Sequence, residues 1–183
     1  KEEPKEEYLL VDGYNIIYAW PELRDLADEN MDGAREKLLE YLSNFRGIDK
    51  RNIIVVFDAY RVKGHREEII DYNNIHIVYT KEAQTADHYI EKFVHDNHNK
   101  YRITVATSDY LEQVIITGKG ATLLSARELK EEIQNAHEAM MESYQEKQRI
   151  QPAYLMDALH EKMGQDGSDI LNKKKGNTKA QEP

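Results

Sequence analysis

The sequence predicts an α/β fold, a three-layer sandwich around a mostly parallel sheet of about five strands, followed by C-terminal helices. Two observations predict this fold. Short apolar runs alternate along the chain with segments of helical periodicity, which is typical of βαβ units. The apolar runs also lack a clean alternation of polar and apolar residues, as expected when helices cover both faces of a sheet.

The predicted strands are continuous apolar runs that are too short for a typical helix. They comprise residues 8–12, 52–57, 75–79, 102–107 and 121–124. Helical segments separate them. The predicted helices comprise residues 14–20, for which a turn is the alternative, 32–46, 86–98 and 110–117. Pro21 is expected to end the first of these helices, and Thr85 is a suitable N-cap for the third.

A capping-box pattern, Ser125 with Glu128, opens a long predicted helix. Pro152 is expected to break this helix, and a last helix is expected to end at Gly164. Apolar residues on the first three turns predict packing against the domain.

The predicted domain spans residues 8–164 and includes the C-terminal helices of residues 125–164. Residues 1–7 are highly charged, and residues 165–183 are polar and rich in lysine. We expect both termini to be disordered, because neither contains enough apolar residues to form a core.

Composition limits the chemistry that the chain can perform. The absence of cysteine excludes disulfides, zinc–thiolate sites and thiol nucleophiles. No apolar segment is long enough to span a membrane and no signal peptide is visible, so a cytoplasmic location is expected. The formal net charge of −9 argues against binding nucleic acid by overall charge, and such a role would need a local basic patch, metal ions or a docking partner.

Three of the predicted strands end at an aspartate: Asp12, Asp58 and Asp109. The carboxyl ends of parallel strands meet at one edge of a sheet, where α/β proteins bind ligands. Asp87, in the first turn of its predicted helix, is expected to face the same edge. Each acid taken alone is explained by a turn, a helix cap or the helix dipole.

Together, the four aspartates predict a divalent-metal site. Clustered carboxylates repel one another, and burying them without partners costs several kcal/mol each. A cation offsets this cost, and a site of oxygen ligands without cysteine or paired histidine suits Mg²⁺ or Mn²⁺. Such an ion would polarise a phosphate and activate water for in-line attack.

Polar residues next to these acids have two possible roles. Asn15, Thr107 and Ser108 either orient the carboxylates and a metal-bound water or simply cap the following turns. Gly13 is expected to let the chain turn away tightly after Asp12.

Four short motifs resemble those of the NYN branch of PIN-like nucleases and, within it, the bacterial YacP-type group. They are Val-Asp-Gly-Tyr-Asn at 11–15, Val-Phe-Asp-Ala-Tyr at 56–60, Thr-Ala-Asp at 85–87 and Thr-Ser-Asp at 107–109. Their order along residues 8–164 makes the resemblance specific, whereas each motif alone would be weak.

This resemblance implies a PIN-like Rossmannoid fold and an Mg²⁺- or Mn²⁺-dependent endoribonuclease that leaves 5′-phosphate and 3′-hydroxyl ends. It assigns the metal and catalytic positions to Asp12, Asp58, Asp87 and Asp109. It also implies mRNA as the substrate and the translating ribosome as a partner.

Basic residues near the predicted edge are candidates for RNA binding. They are Arg61, Lys63, His65, Arg66 and Lys81. The alternative is an ordinary solvated loop. Tyr14, Tyr60 and Tyr110 follow the strand-end acids and either stack on bases or pack in the fold, and we expect at least one of them to pack.

Two other functions compete with a nuclease. A non-catalytic RNA- or ribosome-binding module would bind without cleaving, and the intact set of acids argues against it. A receiver-like phosphotransfer domain needs an acidic pair after the first strand and a lysine after the last, but Gly13 follows Asp12 and Ser125 follows the last strand.

Overall fold

The computed structural model describes residues 3–59 and 68–175, without the side chains of residues 151–152 and 165–175. Contacts divide the chain into two units, Lys1–Glu138 and Ala139–Pro183. The sheet lies in the first unit. In the described residues, no helix is long and apolar enough to cross a membrane.

Six strands form one sheet in the order β3-β4-β2-β1-β5-β6. They are β1 (Glu7–Asp12), β2 (Asn52–Phe57), β3 (Glu68–Tyr72), β4 (Ile75–Tyr79), β5 (Arg102–Ala106) and β6 (Thr122–Leu124). All neighbours pair in parallel except β3 and β4. The predicted α/β class is therefore confirmed, with six strands instead of about five. Since β1 lies between β2 and β5, the ends of these three strands meet at one edge.

Helices connect the parallel strands. They are α1 (Gly13–Ala19), α2 (Pro21–Glu29), α3 (Met31–Arg46), α4 (Ala86–Asn97), α5 (Tyr110–Gly118) and α6 (Ala126–Lys175).

Two apolar cores fill the spaces on either side of the sheet, as the three-layer prediction requires. Successive residues of a strand point to opposite faces, so Leu9 and Val11 belong to one core and Leu10 to the other. The first core also holds apolar residues of α1, α3 and the start of α6, including the buried Leu129. The second holds those of α4 and α5, including Ile90.

The strand β3 and the helix α2 are absent from the sequence prediction. Strand β3 pairs antiparallel with β4 across a two-residue turn, in which Asn73 has a φ of 51°. An Asn-Asn pair between apolar runs is a hairpin signal, because asparagine tolerates positive φ. Pro21 begins α2 instead of only ending α1, since proline fits the first helical position, where no N–H bond is lost.

The predicted helix break at Pro152 and the helix end at Gly164 are wrong. Helix α6 runs from Ala126 to Lys175 through both positions. A proline removes one intrahelical hydrogen bond and bends a helix, but it need not end one that continues on both sides.

Parts of both termini that the sequence predicts to be disordered lie within the described residues. The described part of the C-terminal segment, residues 165–175, is helical, and residues 176–183 lie outside the description. At the other terminus, Glu7 belongs to β1, and the Arg102 N–H donates to the Glu6 carbonyl at 2.9 Å. The first residue of β5 is thus hydrogen-bonded to Glu6, within the charged N-terminal segment for which the sequence predicts disorder.

Candidate metal centre

Three carboxylates converge at the edge where β1 and β5 end. Asp12 is the last residue of β1, and Asp87 and Glu112 lie in the first turns of α4 and α5. One oxygen from each of these residues lies within 4.8 Å of the others. We call these three residues the acidic triad.

Helix caps place the triad. The Asp12 carboxylate accepts from the Asn15 N–H at 3.4 Å and so begins α1. The Thr85 hydroxyl accepts from the His88 N–H at 3.3 Å and begins α4 one residue before Ala86. Asp109 begins α5 by accepting from the Leu111 N–H at 2.9 Å. Asp12 is thus both a cap and a member of the triad. The caps at Thr85 and Asp109 set where α4 and α5 begin, and the first turns of these helices carry Asp87 and Glu112 towards the sheet edge.

Burial and repulsion from neighbouring carboxylates disfavour ionisation of Asp12 and Glu112. The residues Asp12 and Glu112 are only 6% and 4% exposed, whereas Asp87 is more accessible. Burial, followed by repulsion from Asp87, raises the pKa of Asp12 to about 7. Burial, followed by repulsion from Asp12 and Asp87, raises the pKa of Glu112 to about 9. Both effects disfavour the charged carboxylates.

The triad fits a divalent cation. Within the described residues, both carboxylate oxygens of Glu112 are buried and make no hydrogen bond of good geometry, although the Thr107 hydroxyl and the Asp12 carboxylate lie next to them. Buried polar atoms are normally satisfied, so an orphaned pair that faces two other carboxylates needs a proton or a cation. The donors are all oxygens, which suits Mg²⁺ or Mn²⁺.

Asp58 and Asp109 lie outside the triad. The Asp58 carboxylate accepts from the Ala86 N–H at 2.6 Å, so it ties the end of β2 to the start of α4. Its charge also contributes to the raised pKa of Asp12. Asp109 lines a cleft of about 360 Å³ that it shares with Asp87 and Glu112. Two of the four predicted aspartates therefore belong to the triad, and the other two hold helix starts next to it.

The predicted supporting residues connect the strand ends. The Asn15 side-chain oxygen accepts from the Ser108 N–H at 2.7 Å, which joins the start of α1 to the end of β5. The buried Thr107 hydroxyl accepts from the Asp109 N–H at 3.2 Å. The Ser108 hydroxyl accepts from the Ala126 N–H at 3.0 Å. The bond between Thr107 and Asp109 is local, whereas the other two join segments far apart in the chain. A role of these residues towards a metal stays a prediction.

Of the five predicted RNA-binding residues, Lys81 is the one that lies within the described residues. Arg61, Lys63, His65 and Arg66 lie outside the described residues, as does Tyr60. Lys81 is exposed and follows β4 by two residues, at the same edge as the triad.

The two described tyrosines of the predicted set have different environments. Tyr14 is buried against the Phe57 ring, with centroids 5.0 Å apart, and it accepts from Arg35 at 3.0 Å. It therefore packs in the fold. Tyr110 is 75% exposed.

Glu112 is the residue of the triad that the sequence prediction missed. Its signal is an acid on the buried face of a short helix, four residues before the buried Ile116. A glutamate at such a position needs a partner, because charged side chains are seldom buried unpaired. The strand-end pattern did not reveal it, since Glu112 is brought to the edge by a helix.

A family model described as the YacP-like NYN domain matches residues 9–172. The chain belongs to this family. NYN domains are of the nuclease type, and the YacP-like family therefore indicates a nuclease- or RNA-related function. The resemblance inferred from the four motifs is confirmed.

Relatives from Bacillus subtilis agree with this membership. The chain is 43% identical to the protein YacP of strain 168 over 127 residues, which cover 69% of this chain and 74% of that protein. A crystal structure of Rae1 (YacP) is 36% identical with a TM-score of 0.66, covering 91% of this chain and 95% of that chain. A crystal structure of a point mutant of the same protein gives 38% identity and a TM-score of 0.64, covering 74% of this chain and 79% of that chain.

Proposed function

We propose that this YacP-like NYN protein is a divalent-metal-dependent endoribonuclease that hydrolyses mRNA in association with the translating ribosome in the cytoplasm. The observation that carries the proposal is the acidic triad, with two buried Glu112 oxygens that make no hydrogen bond of good geometry among the described residues. Membership of a nuclease-type family supports the same chemistry.

Asp12, Asp87 and Glu112 would hold Mg²⁺ or Mn²⁺. A bound ion would neutralise phosphate charge and favour attack by water at neutral pH. Asp109 lines the same cleft and is available to orient a water or a phosphate. Asp58 and Asn15 act indirectly, because they hold the starts of α4 and α1 in place.

A cleavage assay tests this function. Purified protein is incubated with end-labelled RNA in Mg²⁺, in Mn²⁺ and in EDTA. We expect cleavage with either ion, none in EDTA, and products with 5′-phosphate ends. Asp12→Asn and Asp87→Asn should each reduce the rate by at least about 100-fold, because the ion loses a ligand.

The matched control is Asp28→Asn, which removes an exposed carboxylate of α2, away from the triad. It should cleave like the wild-type protein. Full activity of Asp12→Asn and Asp87→Asn would contradict the metal site. RNA binding without cleavage in any divalent ion would favour the non-catalytic binding module instead.

The ribosome association rests on the resemblance to the YacP-type group and on charge. A chain with a net charge of −9 gains little long-range attraction to free RNA, so a docking partner would supply the local concentration. We expect the protein to co-sediment with ribosomes, less so as salt increases. Equal cleavage rates on free and on ribosome-bound RNA would refute this part of the proposal.

A further inference from the structure

A second groove lies on the opposite flank of α4 from the triad. It consists of two neighbouring cavities of about 210 and 340 Å³ that share Tyr89, Phe93 and Asn97. Its floor is the face of β2 and β4, and Ile69 of β3 forms part of its wall. Helix α4 packs on β1 and β2, and among the described residues this side of β3 and β4 stays open. Ile69 is accordingly 66% exposed.

Aromatic rings line the groove along its length. Tyr89 and Phe93 come from α4, and Tyr8 and Tyr101 from the far end of the sheet. The centroid of the Tyr8 ring lies 4.7 Å from that of Tyr101 and 5.9 Å from that of Phe93. These rings are half-buried, so their edges are fixed by packing while part of each surface stays accessible. Fixed aromatic surfaces of this kind stack on unpaired bases.

The charges of the groove favour an anion. Lys81 and Lys92 line it, with Asp96 as the acid among the described lining residues. His76 also lines it, and its ring is hydrogen-bonded to the Asp71 carboxylate at 2.6 Å, so any positive charge on this ring faces an acid. The two lysines that line the groove outnumber its one lining acid among the described residues, although the chain as a whole has a net charge of −9.

The groove begins at the edge of the sheet that carries the triad. Lys81 lies in the loop that joins β4 to α4, and Asp87 is in the first turn of that helix. From there the groove follows the 12 residues of α4, which extend about 18 Å. A strand that crosses the triad can therefore continue over the start of α4 into the groove.

We infer that this groove binds single-stranded RNA next to the cleavage site, with bases on the aromatic rings and phosphates near Lys81 and Lys92. The inference rests on the proposed function and extends it, because it selects unpaired RNA. A duplex keeps its bases stacked and cannot offer them to Tyr89, Phe93 or Tyr101.

Binding measured in EDTA tests the groove without cleavage. Fluorescence anisotropy of the full chain with labelled single-stranded RNA compares Lys92→Glu with Lys50→Glu, an exposed lysine that is not among the residues lining the groove. Lys92→Glu should weaken binding and lower the slope of log affinity against log salt by about 0.7 or more, the value for one lost single-strand phosphate contact. Lys50→Glu should leave the slope unchanged.

A second variant tests stacking. Tyr101→Leu keeps apolar bulk but removes the ring, and it should weaken binding by roughly fivefold or more. Its thermal unfolding, followed by the fluorescence of Trp20, shows whether it is folded. A duplex of the same sequence should bind more weakly than the single strand.

The inference is overturned if Lys92→Glu and Lys50→Glu behave alike, if folded Tyr101→Leu binds normally, or if the duplex binds as well as the single strand. These outcomes leave the proposed nuclease untouched, since cleavage is measured separately in Mn²⁺. Conversely, RNA binding with these variant effects but without any cleavage would contradict the proposed nuclease and still support RNA binding in the groove.

Discussion

Replacing Glu112 by glutamine should stabilise the metal-free protein. The pKa of this side chain rises from 4.5 to about 9 on folding, chiefly because of burial. At about pH 8 the unfolded chain has lost this proton, and folding must recover it or bury the charge. Each pH unit above 4.5 then lowers the free energy of unfolding by about 1.4 kcal/mol. At pH 8 the largest stabilisation that Glu112→Gln could give is therefore roughly 5 kcal/mol.

We expect a smaller gain than this limit. Asp12 and Glu112 repel each other, so a proton held by one relieves the other, and glutamine must still bury an amide. A stabilisation of about 2 kcal/mol is therefore expected, which corresponds to roughly 4–8 °C in Tm for a chain of this length. The glutamine amide can donate to Asp12 and Asp87, so the substitution leaves no new unpaired carboxylate.

The assay is thermal unfolding with and without Mn²⁺ or Mg²⁺. Trp20, the single tryptophan, is 3% exposed and reports on the first unit by its fluorescence. The wild-type protein should gain about 2.7 kcal/mol at an ion concentration 100 times the Kd, and Glu112→Gln should lose most of that gain. Glu36→Gln, an exposed glutamate on α3, should change neither value.

Two results would refute this reasoning. A Glu112→Gln protein that is less stable than the wild type without metal would show that the carboxylate is not under electrostatic strain. A full ion-induced rise in Tm for this variant would show that Glu112 is not a ligand.

Three further predictions concern pH, packing and a buried hydrogen bond. Folding raises the pKa of Asp12 and of Glu112, so the native state binds more protons than the unfolded chain. The free energy of unfolding of the metal-free protein should therefore fall as pH increases from about 5 to 8. Urea titrations should show a shallower fall for Glu112→Gln. A Cβ at Gly13 would overlap the Phe57 ring, so Gly13→Ala should lower the free energy of unfolding by about 1–3 kcal/mol and reduce cleavage by moving Asp12. The control is Gly118→Ala, whose Cβ meets no atom within 4 Å and which should change neither value. Trp20→Phe removes the 2.8 Å bond from the indole N–H to the Ala126 carbonyl and should cost about 1–3 kcal/mol by circular dichroism; an unchanged Tm would contradict a structural role for this bond.

Helix α6 and the hairpin show where local patterns were insufficient. The capping box at Ser125 is present, with the Ser125 N–H donating to Glu128 at 2.7 Å, because it depends only on neighbours in sequence. The break expected at Pro152 is absent, because the effect of one proline depends on whether the flanking turns continue. Strand β3 is short and only partly apolar, and its pairing with β4 provides the order that its own sequence does not.

The sequence predicts that glycine is needed at position 13, but the structure gives a different reason for it. The sequence suggests a tight turn after Asp12, yet the described glycine with positive φ is Gly120. Gly13 lies in α1 and is required because the Phe57 ring occupies the space of a Cβ. Close approach between β2 and α1 cannot be read from local sequence.

By itself, the sequence determined the parallel α/β sheet, the edge at which Asp12, Asp58 and Asp109 arrive, and the YacP-like NYN family. These follow from apolar periodicity and from short motifs in order, both of which are local properties. Only the tertiary structure decided which carboxylates meet: Asp12 and Asp87 with Glu112, while Asp58 and Asp109 hold helix starts. The reason is that ligand distances depend on how α4 and α5 pack against the sheet, and that packing is set by contacts between residues far apart in the chain.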